Sequence, residues 1–214
     1  MKKALEFKRK YLLERDKLFQ TLISTNDGVH FNKNHTNLVD NIVKELVEEI
    51  LEIHPVSDFT LIAVGGYGRR DLSPKSDVDL LFIYKKTNKN IRDFITTLNN
   101  SLWDIGLEVG ISFLTIKQAT IDSKKDIKTV TKFVETRYLI GDEDYYGEFV
   151  RSIKILVGKI NPLKICEHKL LELVDRHDFY LGIKSNLEPQ IKEGIGGLRD
   201  IHTIIWISIF IFNV

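Results

Sequence analysis

Asp77 and Asp79 stand two residues apart at the head of an apolar run, Val78-Asp79-Leu80-Leu81-Phe82-Ile83. Alternate residues of a strand share one face, so a strand here sets the two carboxylates side by side. Such a pair repels itself unless a cation lies between. Hard oxygen ligands suit Mg²⁺, which usually takes one or two carboxylates and completes its shell with water and substrate phosphates. Just upstream, Leu61-Ile62-Ala63-Val64 stops at Gly65-Gly66, and Gly68, Arg69 and Arg70 follow at once. Glycines let a backbone approach a ligand closely and turn its N–H groups to a phosphate, and arginines neutralise phosphate charge. Either half alone is a common turn or strand end. In this order they make a phosphate cradle beside a metal carboxylate pair, which suits nucleotide chemistry.

The elements that must hold these groups follow from the pattern around them. The stretch from Leu61 to Tyr84 reads as strand, glycine turn, short helical or irregular segment, Ser73-Pro74-Lys75-Ser76 turn and second strand. Upstream, an amphipathic helix is expected over Lys3–Ser24, broken by Thr25-Asn26-Asp27-Gly28, and a second over Thr36–Ile53, closed by His54-Pro55. Downstream, Ile91–Trp103 reads as a helix packed on the sheet and Leu107–Thr115 as a third strand. Helical patterns follow over 126–140, 145–157 and 163–183, then a loop over Ser185–Gly197 and a last helix from Leu198 to Phe212. That last helix is apolar on nearly all sides, and such a helix is normally buried. It is too short to span a bilayer, which needs about 20 apolar residues.

Four stretches carry a family resemblance. Gly65-Gly66, a spacer and Ser76-Asp77-Val78-Asp79-Leu80 resemble the signature of the nucleotidyltransferase fold shared with DNA polymerase beta. The longer string VGGYGRRDLSPKSDVDLL resembles the bacterial bifunctional uridylyltransferase/uridylyl-removing enzymes, which modify the nitrogen-signalling protein PII. Ser101–Gly110 (SLWDIGLEVG), Arg137–Asp142 (RYLIGD) and Asn186–Asp200 (NLEPQIKEGIGGLRD) are similar to further segments of that family, in its order. The resemblance runs from about Phe59 to Trp206. It implies an α/β (α+β) fold: a small mixed sheet with flanking helices, a helical extension over 1–57 and a nucleotidyltransferase domain over 58–214. It implies transfer of UMP from UTP to a tyrosine of PII in the presence of Mg²⁺, two ions being expected at Asp77 and Asp79. Other protein or small-molecule acceptors, or a silent nucleotide- or PII-binding remnant, share the same core pattern.

The resemblance also distributes roles. Gly65, Gly66, Gly68, Arg69, Arg70 and Ser76 become nucleotide contacts, joined by Lys192 and Arg199 of the IKEG…GGLRD segment. The fold usually adds a third carboxylate on the neighbouring strand, where it completes the metal site or deprotonates the acceptor. Glu108, between Leu107 and Val109, is the candidate, although an edge-strand or surface glutamate reads the same way. Ile111 and Leu114 replace a histidine and an arginine of the family pattern. Glu135 and Arg137 are expected to pair near the site. His177-Asp178 matches the first letters of the family's phosphohydrolase motif but lies ahead of the NLEP segment and without its other ligands, so a helix-surface pair and no uridylyl-removing domain are expected. The apolar C-terminal helix is expected to be cut off in the middle of a packing element.

Composition bounds the rest. A 43% hydrophobic content over 214 residues supports a core, and 31 basic against 30 acidic residues give a net charge of +1, which points away from long nucleic acids. The lone Cys166 lies in an apolar helical pattern, and the charged N-terminal stretch does not suit a signal peptide. A cytoplasmic protein without membrane attachment is expected.

Overall fold

Phe59–Val64 (β1) is buried at every position, and Val78–Tyr84 (β2) at every position except Asp79 and Tyr84. Strands without a polar face need cover on both sides. A computed structural model, which describes residues 2–182 and 190–212, shows how they get it. β1 and β2 form the centre of a four-stranded mixed sheet, with Val109–Leu114 (β3) and Thr136–Gly141 (β4) at its edges, in the order β3-β2-β1-β4. β1 runs antiparallel to β2 and to β4, and β2 runs parallel to β3.

Lys2–Thr25 (α1), Gly28–Ile53 (α2) and Lys89–Ile105 (α4) cover one face. There Val39, Val43, Phe94 and Leu98 pack on Leu61, Ala63, Leu80 and Phe82. Between β1 and β2 lies a single helical turn, Gly65–Gly68 (α3). Ile116–Lys125 (α5), Ile127–Val134 (α6) and Glu143–Val157 (α7) cover the other face, where Val130, Phe133 and Phe149 meet Ile62, Val64, Leu81 and Ile83. Fully burying one such aliphatic or aromatic side chain is worth about 1.5–3 kcal/mol, so the alternation of two apolar sets fixes which way Asp79 points. It stands with Leu81 and Ile83, toward α6. Pro162–Gly182 (α8) and Leu198–Phe212 (α9) complete the chain and join the second cluster through Ile165 and Phe210.

The structure corrects the sequence reading in four places. The helix expected over 126–140 ends at Val134, and Thr136–Gly141 is a strand on the free edge of β1. Nothing in that short mixed run separates helix from strand, and only the sheet edge decides it. Residues 116–125, where the sequence pattern marks no element, are helical behind a Thr115 cap whose hydroxyl accepts from the Gln118 N–H. The second helix starts eight residues early, because the Asp27 carboxylate caps it through the His30 N–H. α9 buries Thr203, Trp206 and Phe210 but leaves Ile204, Ile211 and Phe212 exposed, so it is covered on one side only. No helix among the described residues is long and apolar enough to cross a membrane.

Candidate active site

β1 and β2 are antiparallel neighbours, so the end of β1 and the start of β2 lie at one edge of the sheet. Gly65 and Gly66 stand at the first, Ser76, Asp77 and Asp79 at the second, and all five line one pocket of about 490 Å³, within the usual range for small-molecule sites. Gly65 takes a left-handed conformation, φ +59°, and its N–H donates to the Glu135 carbonyl (3.1 Å). That donor is therefore taken within the protein, and Gly66 beside it lines the pocket.

Helix α6 supplies a second side of the pocket. Lys128, Thr131 and Lys132 lie at i, i+3 and i+4 and so share a face, Glu135 follows just past the helix end, and all four line the cavity. Lys132 Nζ donates to Asp79 Oδ1 at 3.1 Å. Glu135 Oε2 accepts from Arg69 Nη1 at 2.5 Å, which holds the arginine against the glycine turn. The third side comes from α8, α9 and the residues just before α9. Lys169 pairs with Glu172 (2.9 Å) and lies over the Trp206 ring, 4.6 Å from its centroid. Arg199 pairs with Glu193 (2.9 Å) and meets the same ring. The Arg199 bond, against a smaller cost of burial, holds the Glu193 pKa below the ordinary carboxylate value. Asp200 accepts from Arg176, His177 and the Gly196 N–H. Burial pushes its pKa up, but these donors together outweigh it and hold it low. Arg69 Nη2 donates to His202 Nε2 at 3.3 Å, so that imidazole acts as an acceptor. Burial first, then the Arg69 charge, lowers its pKa.

The pocket therefore gathers Gly65, Gly66, Arg69, Ser76, Asp77, Asp79, Lys192 and Arg199 from the sequence expectations. Three residues fall outside its lining. Gly68 packs on backbone, where a Cβ would come within 2.4 Å of the Glu135 carbonyl oxygen. Arg70, at φ +63°, turns toward α2 and donates to Asn37 Oδ1 (3.3 Å). Glu108 is exposed one residue before β3, its carbonyl accepting from the Val78 N–H at 2.7 Å. Gly110 pairs with Asp79, and continuing the alternation back past the start of the edge strand puts Glu108 on the same side of the sheet as Gly110. Ile111 belongs to the opposite apolar cluster, beside Leu80, and neither it nor Leu114 lines the pocket.

Two expected pairings are replaced by others. Glu135 bonds Arg69 rather than Arg137, and Arg137 makes a two-pronged bond to Asp40 (2.7 and 3.0 Å) and reaches the Tyr67 carbonyl (3.2 Å). His177 bonds Asp200, not the neighbouring Asp178. Residues 186–189 of the NLEP segment lie outside the described residues. Lys128, Lys132, Lys169, Glu172, His202 and Trp206 were not singled out from the sequence. The helical spacing of Lys128, Lys132 and Glu135 was the available signal for α6, and it is equally that of a solvated helix face.

A divalent cation fits the donor set at β2. Both Asp77 and Asp79 reach the pocket, and Gly110 leaves the space that the Asp79 carboxylate fills, since a Cβ there would come within 3.1 Å of Oδ1. Among the described residues no group of three or more His, Cys, Asp or Glu is arranged to enclose a metal. Two carboxylates leave most of a Mg²⁺ shell to water and phosphate oxygens, which is the ordinary habit of that ion.

Comparison with known proteins places the chain among relatives. Residues 43–164 match the family model described as nucleotidyltransferase domain, and residues 164–214 match that described as GlnD PII-uridylyltransferase. The chain is similar to the bifunctional uridylyltransferase/uridylyl-removing enzyme of Chromobacterium violaceum, 36% identical over 91% of this chain and 22% of that protein. It is likewise similar to those of Nitrosospira multiformis, 33% identical over 94% of the chain and 23% of the relative, and Rhodospirillum rubrum, 36% over 84% and 20%. The chain spans about a fifth of the length of the curated relatives it matches.

Proposed function

The chain belongs to the nucleotidyltransferase domain family, and on that footing we propose that it transfers UMP from UTP to a tyrosine hydroxyl of a PII signalling protein, releasing pyrophosphate. The observation that carries the reading is the meeting of Asp77 and Asp79 with a ring of basic side chains in one pocket. Asp77 and Asp79 hold Mg²⁺ in this reading. When bound, that ion offsets negative charge on the triphosphate and on the departing pyrophosphate.

The protein's own contribution is positioning, which is most of what phosphoryl-type transfer requires. Arg69, fixed by Glu135, and the Gly66 N–H orient phosphate oxygens at the glycine turn. Lys128, Lys132 and Lys192 supply further charge from α6 and from the segment before α9. The tyrosine oxygen attacks the α-phosphorus as the bond to the pyrophosphate oxygen breaks, and the phenolic proton leaves to a carboxylate or to water. Glu108, exposed and outside the pocket lining, is not given that role. The Trp206 wall packs the nucleoside end of the substrate.

The test is transfer of label from α-labelled UTP to PII in Mg²⁺, beside Asp79→Asn and an ATP comparison. Label that requires UTP and falls by about a hundred-fold or more in Asp79→Asn supports the reading. Folded protein that binds UTP but transfers nothing to PII overturns it.

A further inference from the structure

Asp79 carries two demands at once. It is a candidate metal ligand, and its Oδ1 is already bonded by the Lys132 ammonium at 3.1 Å. A divalent cation reaching that oxygen must displace the lysine. We propose that Lys132 is a relay cation: it neutralises Asp79 before metal arrives, then gives up the carboxylate and moves onto the phosphates of the incoming nucleotide. Metal and nucleotide binding are thereby coupled through one side chain. The inference rests on the reading of this pocket as a metal and nucleotide site.

The pairing pattern of the pocket singles this lysine out. The other ion-paired cations lining it, Arg69, Lys169, Arg176 and Arg199, each bond a carboxylate that is not of the Asp77/Asp79 pair. Metal arrival leaves those pairs intact. Among the described residues Lys132 alone loses its partner when Asp79 is taken, so it alone is released at that moment. The Lys132 and Asp79 side chains are 34% and 38% exposed, so the pair is weak enough to exchange. Helix α6 itself stays put. Its N-terminus is capped by Asp126 through the Lys128 and Thr129 N–H groups, and Val130 and Phe133 are buried in the core. Just past its end, the Glu135 carbonyl holds the Gly65 N–H. Only the flexible lysine stem has to swing, inside a cavity that its own residue lines.

The test is equilibrium binding, read without turnover. Mn²⁺ serves as the spectroscopic stand-in for Mg²⁺, with free Mn²⁺ followed by electron paramagnetic resonance, and a non-hydrolysable α,β-methylene UTP analogue serves as the nucleotide. The full 214-residue chain is compared with Lys132→Met, Lys132→Arg and Asp79→Asn, each checked for native circular dichroism. Without nucleotide, Lys132→Met should bind Mn²⁺ about two- to five-fold tighter, the range an exposed ion pair supplies. With Mn²⁺ saturating, it should bind the analogue about ten-fold more weakly, the loss expected for one charge-assisted bond. Lys132→Arg should restore most of the analogue affinity. Unchanged or weaker Mn²⁺ binding by Lys132→Met overturns the proposal, and so does unchanged analogue binding. Asp79→Asn separates the two levels. Loss of Mn²⁺ there upholds the metal reading whatever Lys132 does, whereas wild-type Mn²⁺ binding removes that reading and the relay with it.

Discussion

A Cβ built on Gly68 would stand 2.4 Å from the Glu135 carbonyl oxygen and 3.0 Å from that of Ala63, both fixed backbone. One built on Gly110 would stand 3.1 Å from Asp79 Oδ1, the tip of a side chain. The two glycines should therefore fail differently. Gly68→Ala should cost about 1–3 kcal/mol of stability in urea unfolding, because the glycine turn and the segment after α6 cannot both keep their places. Gly110→Ala should leave the unfolding midpoint nearly unchanged while transfer falls by about ten-fold or more, since a carboxylate pushed aside misplaces whatever it holds. Equal effects of the two changes on stability would contradict this division. Both glycines were visible in the sequence. Their separate duties were not, because each depends on an atom far away in the chain.

At the scale of elements, α2 ties the glycine turn to the rest of the fold by two polar contacts. Arg137 of β4 forks onto Asp40 of α2, where the two side chains are 16% and 9% exposed, and also holds the Tyr67 carbonyl of α3. Removing one partner of such a pair strands a buried charge. Arg137→Met should destabilise by about 3–5 kcal/mol. Arg137→Met combined with Asp40→Asn should recover much of that, and a double-mutant cycle in denaturant measures the coupling. The second contact is His35. Its Nδ1–H donates to the Leu72 carbonyl (3.1 Å) and its Nε2 accepts from the Tyr11 hydroxyl (3.2 Å). Burial is the largest cause of a lowered pKa there, so the folded state resists protonation more than the unfolded chain does. The sign follows: the stability from His35 is fully present above the ordinary histidine value of about 6.5 and is lost as pH falls below it. Melting temperature should drop between pH 7.5 and 5.5, and His35→Gln should drop less. An identical fall in the two proteins would remove His35 from the account.

For the molecule as a whole, the two apolar clusters on the sheet faces are closed, but the α8–α9 pair is not. Leu171, Phe179 and Leu181 of α8 and Ile204, Ile211 and Phe212 of α9 are between 49% and 70% exposed. Apolar surface of this extent drives association in water. The chain purified alone should show a rising weight-average mass with concentration in sedimentation velocity. Leu171→Glu together with Ile204→Glu should suppress the rise. A wild-type chain that stays monomeric at high concentration would contradict the prediction.

The central strands, the glycine turn between them and the Asp77/Asp79 pair were legible in the amino-acid sequence, because they rest on short-range rules. Burial on both faces shows as an apolar run, a tight turn as glycines, and a shared strand face as a spacing of two. The register of Asp79 toward α6 follows from the same alternation. Only the tertiary structure decided the rest. Thr136–Gly141 became a strand because β1 offered a free edge, and Arg137 found Asp40 because β4 then ran beside α2. Lys132 met Asp79, and Arg69 met Glu135, across more than fifty positions of chain. Charges on a helix face carry no local record of their partner. Their pairing is settled by which surfaces the two apolar clusters bring together.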